Sequence, residues 1–303
     1  ELVLASRPEY QLGAPGFGKM VCTVMDSSNT MNAIIAGDID MVCLGNSVST
    51  SNDELAESSG LTVKQNDLPT SFTEMIINNT NITDAKLRQA LWYALDIDTI
   101  TSLMTDGYGV PAYTYIMPGS EYENTDSAAH YDPDYARQLL EESSYNGETY
   151  TIACGSSREA LVSLIQQYFD DIGFNMEIAL VDVATMFAGC QDGTYDFGVS
   201  GHTATASPVW FDNATSFHII GGTSYFQVTD PTYTEMFEKI NSLFDETEKI
   251  EATKEYQAYI AEQTPFIPLW FQAGLYIESD TVSGVDYGAA GMCNDNVWDW
   301  VKE

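Results

Sequence analysis

Positive charge is scarce in this sequence. Only 11 Lys and Arg stand against 45 Asp and Glu, which gives a formal net charge of -34 over 303 residues. A surface of this charge repels nucleic-acid phosphates and anionic lipid headgroups, so nucleic acid is excluded as a partner. The carboxylates are dispersed along the chain, which favours a solvated, solubilising surface over a cation-binding cluster.

Metal-binding and redox patterns are also missing. The three histidines show no pair at helical spacing, and no CxxC pair occurs, so the sequence predicts neither a metal site nor a cofactor. Cys22 and Cys43 could approach each other if residues 20–25 and 39–43 were neighbouring strands; two separate buried thiols are the alternative. The five cysteines are Cys22, Cys43, Cys154, Cys190 and Cys293.

Motifs of nucleophilic, metal-dependent and nucleotide-dependent catalysis are absent. The sequence has no Gly-x-Ser-x-Gly, no His-Glu-x-x-His and no Gly-x-x-x-x-Gly-Lys followed by Ser or Thr, so a protein without enzymatic activity is expected. A glycosidase needs only two carboxylates without fixed spacing, and a secreted carbohydrate-active hydrolase therefore remains the alternative. No run of about 18 apolar residues and no basic, apolar leader occurs. Because the chain starts at Glu1, a processed or truncated product is expected.

Short apolar runs alternate with stretches of helical periodicity, which predicts an α/β fold. Residues 108–131, with three tyrosines before Gly119, are predicted to form a long loop. Asp96 and Asp132 are predicted helix N-caps, the second followed by Pro133 at the first helical position. Strands are predicted at 20–25, 39–43, 61–65, 72–77, 149–153, 175–181, 195–200 and 266–271. Helices are predicted after Ser27, around 87–95, 97–106 and 133–140, and at 161–172, 182–191, 232–245 and 248–263.

Six segments, in order along nearly the whole chain, carry a resemblance to a known family. They are Met31-Asn-Ala-Ile-Ile-Ala-Gly-Asp-Ile-Asp40, Thr83 to Asp96, Gly107-Tyr-Gly-Val-Pro-Ala112, Tyr131-Asp-Pro-Asp134 with Ala136 to Leu140, Gly193-Thr-Tyr-Asp-Phe197, and Pro265-Phe-Ile-Pro-Leu-Trp-Phe271. In this register the chain resembles extracytoplasmic solute-binding protein family 5. That family comprises the oligopeptide, dipeptide and nickel receptors of ABC importers.

The resemblance implies a periplasmic-binding-protein-like type II architecture of two lobes, one complete and one partial. Residues 1–70 are expected to form part of the first lobe, 71–272 the second lobe, and 273–303 the return to the first. The family's N-terminal portion is expected to lie outside this chain. The implied function is to capture a peptide or other small solute between the lobes and to deliver it to an ABC permease. The implied form is a monomer in the periplasm or lipid-anchored at the outer face of the membrane. A sensor or adhesin that has lost transport is a further alternative.

The resemblance also implies where the solute binds. Peptide-binding members of the family hold the ligand's ammonium group with the aspartate of a Gly-Trp-x-x-Asp loop. This chain reads Gly201-His-Thr-Ala-Thr205 at that place, so this ion pair with an ammonium group is not expected. His202, Thr203 and Thr205 are candidates for hydrogen bonds to a neutral or anionic solute, with a solvated loop as the alternative. Trp210 and Trp270 are either cleft-lining or core residues. The full candidate set is Phe72, Glu74, His202, Thr203, Thr205, Trp210, Trp270 and Gln272.

Overall fold

The computed structural model of the chain describes residues 1–25, 27–45, 50–66, 69, 71–127, 130–203, 224–287 and 296–303. These residues form two compact units. Of the described residues, the smaller unit contains Glu1–Ser71, Thr203 and Gln272–Glu303, and the larger contains Phe72–His202 and residues 224–271.

The described residues contain strands and helices that alternate along much of the chain. The strands are β1 (Leu2–Ala5), β2 (Lys19–Cys22), β3 (Met41–Gly45), β4 (Thr62–Gln65), β5 (Ser71–Ile77), β6 (Gly109–Pro111), β7 (Thr149–Cys154), β8 (Asn175–Leu180), β9 (Phe197–Thr203), β10 (Phe266–Gln272), β11 (Leu275–Glu278), β12 (Val282–Ser283) and β13 (Val301–Lys302). The helices are α1 (Ser27–Ala36), α2 (Thr50–Ser58), α3 (Ala85–Tyr93), α4 (Ile97–Thr105), α5 (Pro133–Glu142), α6 (Glu159–Ile172), α7 (Val183–Asp192), α8 (Thr232–Ser242) and α9 (Glu246–Gln263).

A six-stranded sheet organises the larger unit, with the strand order β6-β10-β5-β9-β7-β8. Every residue of β5 and of β10 is buried, as expected for the central strands of a sheet covered on both faces. Strand β7 runs parallel to both β8 and β9, with Ile152 opposite Ile178 on one side and Phe197 on the other. The α/β prediction is therefore confirmed.

The main hydrophobic core lies between this sheet and the helices that follow its strands. Helix α6 packs on β7 and β8, while α3 packs on α5. Phe169, Phe174 and Phe197 are fully buried and meet at tilted and edge-on angles, with ring centroids 5.5 to 6.5 Å apart. Aromatic contacts of this geometry add to the free energy of burial.

Helix starts follow the capping predictions. The Asp96 carboxylate begins α4 by accepting from the backbone N of Thr99 at 3.0 Å and from its hydroxyl at 2.7 Å. The Asp132 carboxylate begins α5 by accepting from the backbone N of Tyr135 at 2.9 Å, with Pro133 in the first turn. Both predicted caps are confirmed.

The smaller unit contains a three-stranded sheet in which β11 lies between β3 and β4, antiparallel to each. Its core is formed by the buried residues Met31, Ile34, Val42, Ala56 and Ile277. Among the described residues β2 pairs with β1, and β3 with β11, so the strands that carry Cys22 and Cys43 are not neighbours. Cys22 is an exposed free thiol, which contradicts the proposed approach of the two cysteines.

Two local elements were not predicted from the sequence. The predicted loop 108–131 contains the short strand β6, which extends the sheet beside β10. Helix α2 was not predicted, because Thr50–Ser58 is too polar for a clear apolar stripe; Ala56 is its fully buried residue. Within the described part of the chain, no helix has the length and apolar character needed to cross a membrane.

Candidate functional site

The candidate site lies in the larger unit, beside the carboxyl ends of β7 and β9. Because these two strands are parallel neighbours, both end at the same edge of the sheet, where α/β folds commonly bind ligands. Strand β7 ends at Cys154, and Gly155 then leads into a single 3-10 turn over Ser156–Arg158. Helix α6 starts at the next residue, so Arg158 stands at the junction of strand, turn and helix.

Arg158 places its guanidinium over the ring of Trp270, 5.8 Å from the ring centroid. The side chain is half-buried, and burial lowers the pKa of its guanidinium. An arginine nevertheless keeps its proton in proteins, so a positive charge is held against an aromatic face. No carboxylate of the described residues forms an ion pair with Arg158; the recorded pairs are Lys86–Glu142, Arg137–Asp134, Lys239–Glu255 and Lys302–Asp40.

A second partly desolvated arginine shows how the fold otherwise satisfies such a group. Arg88 is 5% exposed and donates to three backbone carbonyls, those of Ile82 at 2.7 Å, Gln263 at 2.6 Å and Thr264 at 3.0 Å. These bonds tie α3 to the end of α9. Arg88 therefore has a structural role that accounts for its burial, and Arg158 has no comparable set of bonds among the described residues.

Gly201 on β9 leaves room for the Arg158 guanidinium. A Cβ atom at Gly201 would lie 3.1 Å from Arg158 Nη2, 3.7 Å from the carbonyl oxygen of Phe72 and 3.8 Å from Thr73 Oγ1. Thr73 is fully buried, and its hydroxyl has no hydrogen-bond partner among the described residues. The guanidinium and a buried hydroxyl therefore lie on the same side of Gly201, and both can donate hydrogen bonds to an anion.

Two of the predicted site residues lie on the opposite face of β5. Successive side chains of a strand alternate between faces, so Phe72 and Glu74 point away from the face that carries Thr73. Phe72 is buried against Phe271, with ring centroids 4.8 Å apart, and Glu74 is 4% exposed. The structure therefore separates Phe72 and Glu74 from Arg158.

Trp270 is a core residue of the larger unit that also contacts Arg158. Its side chain is buried in the main core, and its ring lies under the guanidinium of Arg158. Gln272 belongs to the smaller unit, where its carbonyl accepts a hydrogen bond from Ser71 Oγ at 3.1 Å. The Gln272 side chain is buried, and its Nε2 has no partner among the described residues.

The remaining candidates cannot be placed beside Arg158. The backbones of His202 and Thr203 end β9, but their side chains, together with all of Thr205 and Trp210, lie outside the described residues. The described residues contain no group of three His, Cys, Asp or Glu side chains that could hold a metal ion.

Sequence reasoning missed Arg158. One signal was available: in a chain with 11 Lys and Arg, a basic residue follows an apolar strand after Gly155-Ser156-Ser157. The contact that distinguishes it is with Trp270, more than a hundred residues later, and no local pattern predicts that contact.

Solved structures define the class of fold. AppA from Bacillus subtilis, solved in complex with a nonapeptide, matches with a TM-score of 0.81 at 21% identity over 99% of this chain and 64% of that chain. CtaP from Listeria monocytogenes matches with a TM-score of 0.85 at 19% identity over 99% and 63%. NikA from Staphylococcus aureus, in complex with Ni(L-His)2, gives 0.81 at 14% identity over 99% and 66%. The fold is therefore periplasmic-binding-protein-like, as predicted.

The chain belongs to the bacterial extracellular solute-binding proteins, family 5. The family model described as "Bacterial extracellular solute-binding proteins, family 5 Middle" matches residues 1–221. Among curated relatives, the oligopeptide-binding protein AppA of Bacillus subtilis is 23% identical over 94% of this chain and 56% of its own length. The glutathione-binding protein GsiB of Escherichia coli K12 is 23% identical over 70% and 44%. The chain thus spans about half the length of these relatives.

Proposed function

We propose that this chain is part of an extracytoplasmic receptor that captures a peptide or other small solute between two lobes and delivers it to an ABC permease. Family membership supports capture, and the relatives whose names state a ligand are binding proteins for oligopeptides and glutathione. In this proposal the protein is a monomer without enzymatic activity. It works in the periplasm or lipid-anchored at the outer face of the membrane.

The environment of Arg158 is the single observation that supports a particular binding site for the solute. The half-buried guanidinium on Trp270 bears a desolvation penalty, and no carboxylate of the described residues pairs with it to offset that penalty. A ligand anion offsets it by forming charge-assisted hydrogen bonds, in the bidentate geometry that guanidinium offers to carboxylates. The proposed solute therefore carries a carboxylate or a similar anionic group.

The sequence also indicates that an ammonium group of the solute is not the main charged contact. Thr205 stands where peptide-binding members of the family have the aspartate that holds the ammonium, and a hydroxyl cannot neutralise a buried positive charge. The solute is then anchored mainly through its anionic group. A peptide fits this proposal if its carboxylate, rather than its ammonium, supplies most of the charged contact.

A matched set of ligands tests the proposal. Di- and tripeptides, their C-terminal amides and simple dicarboxylic acids are titrated into the full-length protein by calorimetry. We expect acids to bind and the corresponding amides to bind at least roughly 30-fold more weakly, because a buried charge loses its partner. In Arg158→Gln this preference disappears, while Arg7→Gln, at an exposed arginine of the smaller unit, keeps it.

Two results would refute this function. Amides that bind the unmodified protein as tightly as acids would show that Arg158 does not hold an anion. Turnover of a bound sugar or peptide would assign the protein to the hydrolases.

A further inference from the structure

Four tyrosines form a surface cluster, which we name the tyrosine patch. Tyr93 lies on α3, Tyr131 two residues before α5, Tyr135 on α5 and Tyr168 on α6. Tyr93 and Tyr135 meet edge-on with ring centroids 4.9 Å apart, and Tyr131 and Tyr168 meet edge-on at 5.9 Å. The backbone N of Asp132 donates to the carbonyl of Tyr93 at 2.9 Å, which places the two pairs side by side.

The rings of the tyrosine patch are accessible. Tyr131 is 47% exposed and Tyr135 is 40% exposed, while Tyr93 and Tyr168 are half-buried. Tyrosine is enriched at protein interfaces, because a stiff amphipathic ring offers a large contact area at a small cost in conformational entropy. Accessible rings that are already held in place by packing on one another are therefore suited to binding a partner.

Negative charge surrounds the tyrosine patch. Burial is the first cause that raises the pKa of Tyr168, and the nearby carboxylates of Asp96 and Asp171 raise it further. Burial also raises the pKa of Tyr93, followed by Tyr135 and Asp132. The neighbouring Arg137 is already paired with Asp134 at 2.6 Å. Ring faces and carboxylates together attract cations, since the π-system has a negative face.

We propose that the tyrosine patch is a docking surface for a basic, Lys- or Arg-bearing segment of another polypeptide. Charge complementarity with a chain of net charge -34 favours such a partner and accelerates its association. The patch is separate from the candidate solute site, because Tyr168 follows Arg158 by ten residues along α6, roughly 15 Å at 1.5 Å per residue. The proposal is therefore independent of the proposed function.

The test measures the affinity of the chain for a labelled hexa-arginine peptide at 150 mM NaCl. Two exposed cation–π contacts predict that Tyr131→Ala/Tyr135→Ala weakens binding roughly fivefold or more. Tyr131→Phe/Tyr135→Phe keeps the rings and is expected to keep the affinity. Tyr10→Ala, at a tyrosine of the smaller unit that is 41% exposed, is the matched control and is expected to bind like the unmodified chain. Circular dichroism melting confirms that each variant folds.

Two outcomes would reject the proposed docking surface. Equal affinity of the double alanine variant and the unmodified chain would mean that net charge alone attracts the peptide, and the docking surface would be rejected. Tighter binding of a neutral hexasaccharide than of the peptide, lost in the double alanine variant, would assign the patch to carbohydrate instead. Arg158→Gln is expected to leave peptide binding unchanged, so the two proposals fail separately.

Discussion

Arg158 and Gly201 lie side by side at the sheet edge where we propose that the anion binds. The guanidinium is held over Trp270 on one side and lies beside Gly201 on the other, where a Cβ atom would approach Nη2 to 3.1 Å. A guanidinium can be displaced without unfolding the protein, since it is the flexible end of a long side chain. The site is therefore sensitive to a substitution that the fold tolerates.

Gly201→Ala is expected to lower the affinity for an anionic solute roughly tenfold, equivalent to the loss of about one charged hydrogen bond. The melting temperature is expected to change little, because the Gly201 backbone needs no positive φ. Calorimetry with the best-binding acid measures the first effect and thermal denaturation the second.

Gly18→Ala is the control for this substitution, because no atom lies within 4 Å of a Cβ at that position. An unchanged affinity in Gly201→Ala would mean that anion binding does not depend on the position of the Arg158 guanidinium beside β9.

Helix caps connect the elements of the larger unit. The Asp84 carboxylate caps α3 by accepting from Lys86 N at 2.9 Å, and it also accepts from Ser144 N at 2.6 Å, just after α5. Burial alone would raise the pKa of Asp84, but the hydrogen bonds from Ser144 and Lys86 outweigh it and lower that pKa. One carboxylate thus stabilises the start of one helix and the exit from another.

Asp84→Ala is expected to reduce the free energy of unfolding at pH 7 by about 0.5 to 2 kcal/mol, the range of N-cap substitutions. The folded-state pKa of Asp84 is depressed, so its contribution is present above the unfolded-state pKa near 3.9 and is lost as the pH falls below it. Urea unfolding of both proteins at pH 7 and at pH 3 measures the difference, which is expected to shrink at pH 3.

Glu141→Ala, at an exposed position of α5, provides the control and is expected to show little difference at either pH. A pH-independent deficit in Asp84→Ala would contradict the role assigned to the ionised carboxylate.

The elements differ in how far local sequence could predict them. Caps such as Asp96 and Asp132 were predictable, because the capping residue bonds to a backbone N three residues away. Strand β6 and helix α2 were missed, since a three-residue strand depends on its neighbour β10 and a polar helix shows no apolar stripe. The site needed a contact between residues 158 and 270, which depends on sheet order and not on local pattern.

At the scale of the whole molecule, the excess of negative charge predicts electrostatic self-repulsion. The net charge of -34 destabilises the compact state, and salt screens it over a Debye length that falls from about 30 Å at 0.01 M to about 10 Å at 0.1 M. The melting temperature is therefore expected to rise by several degrees between 10 mM and 500 mM salt.

Differential scanning calorimetry in NaCl and in tetramethylammonium chloride separates screening from specific ion binding. Screening predicts the same rise in both salts at equal ionic strength. A rise confined to NaCl would instead indicate a bound sodium ion, and no rise would show that the dispersed carboxylates do not repel one another appreciably.

The family assignment and the fold came from patterns spread along the chain, whereas the function proposed for it depends on one guanidinium. A crystal structure of the full-length protein with its best-binding acid tests that dependence most directly. The account predicts an anionic oxygen within hydrogen-bond distance of the Arg158 guanidinium, next to Trp270 and Gly201. A solute bound with its anionic group elsewhere and Arg158 unengaged would contradict it.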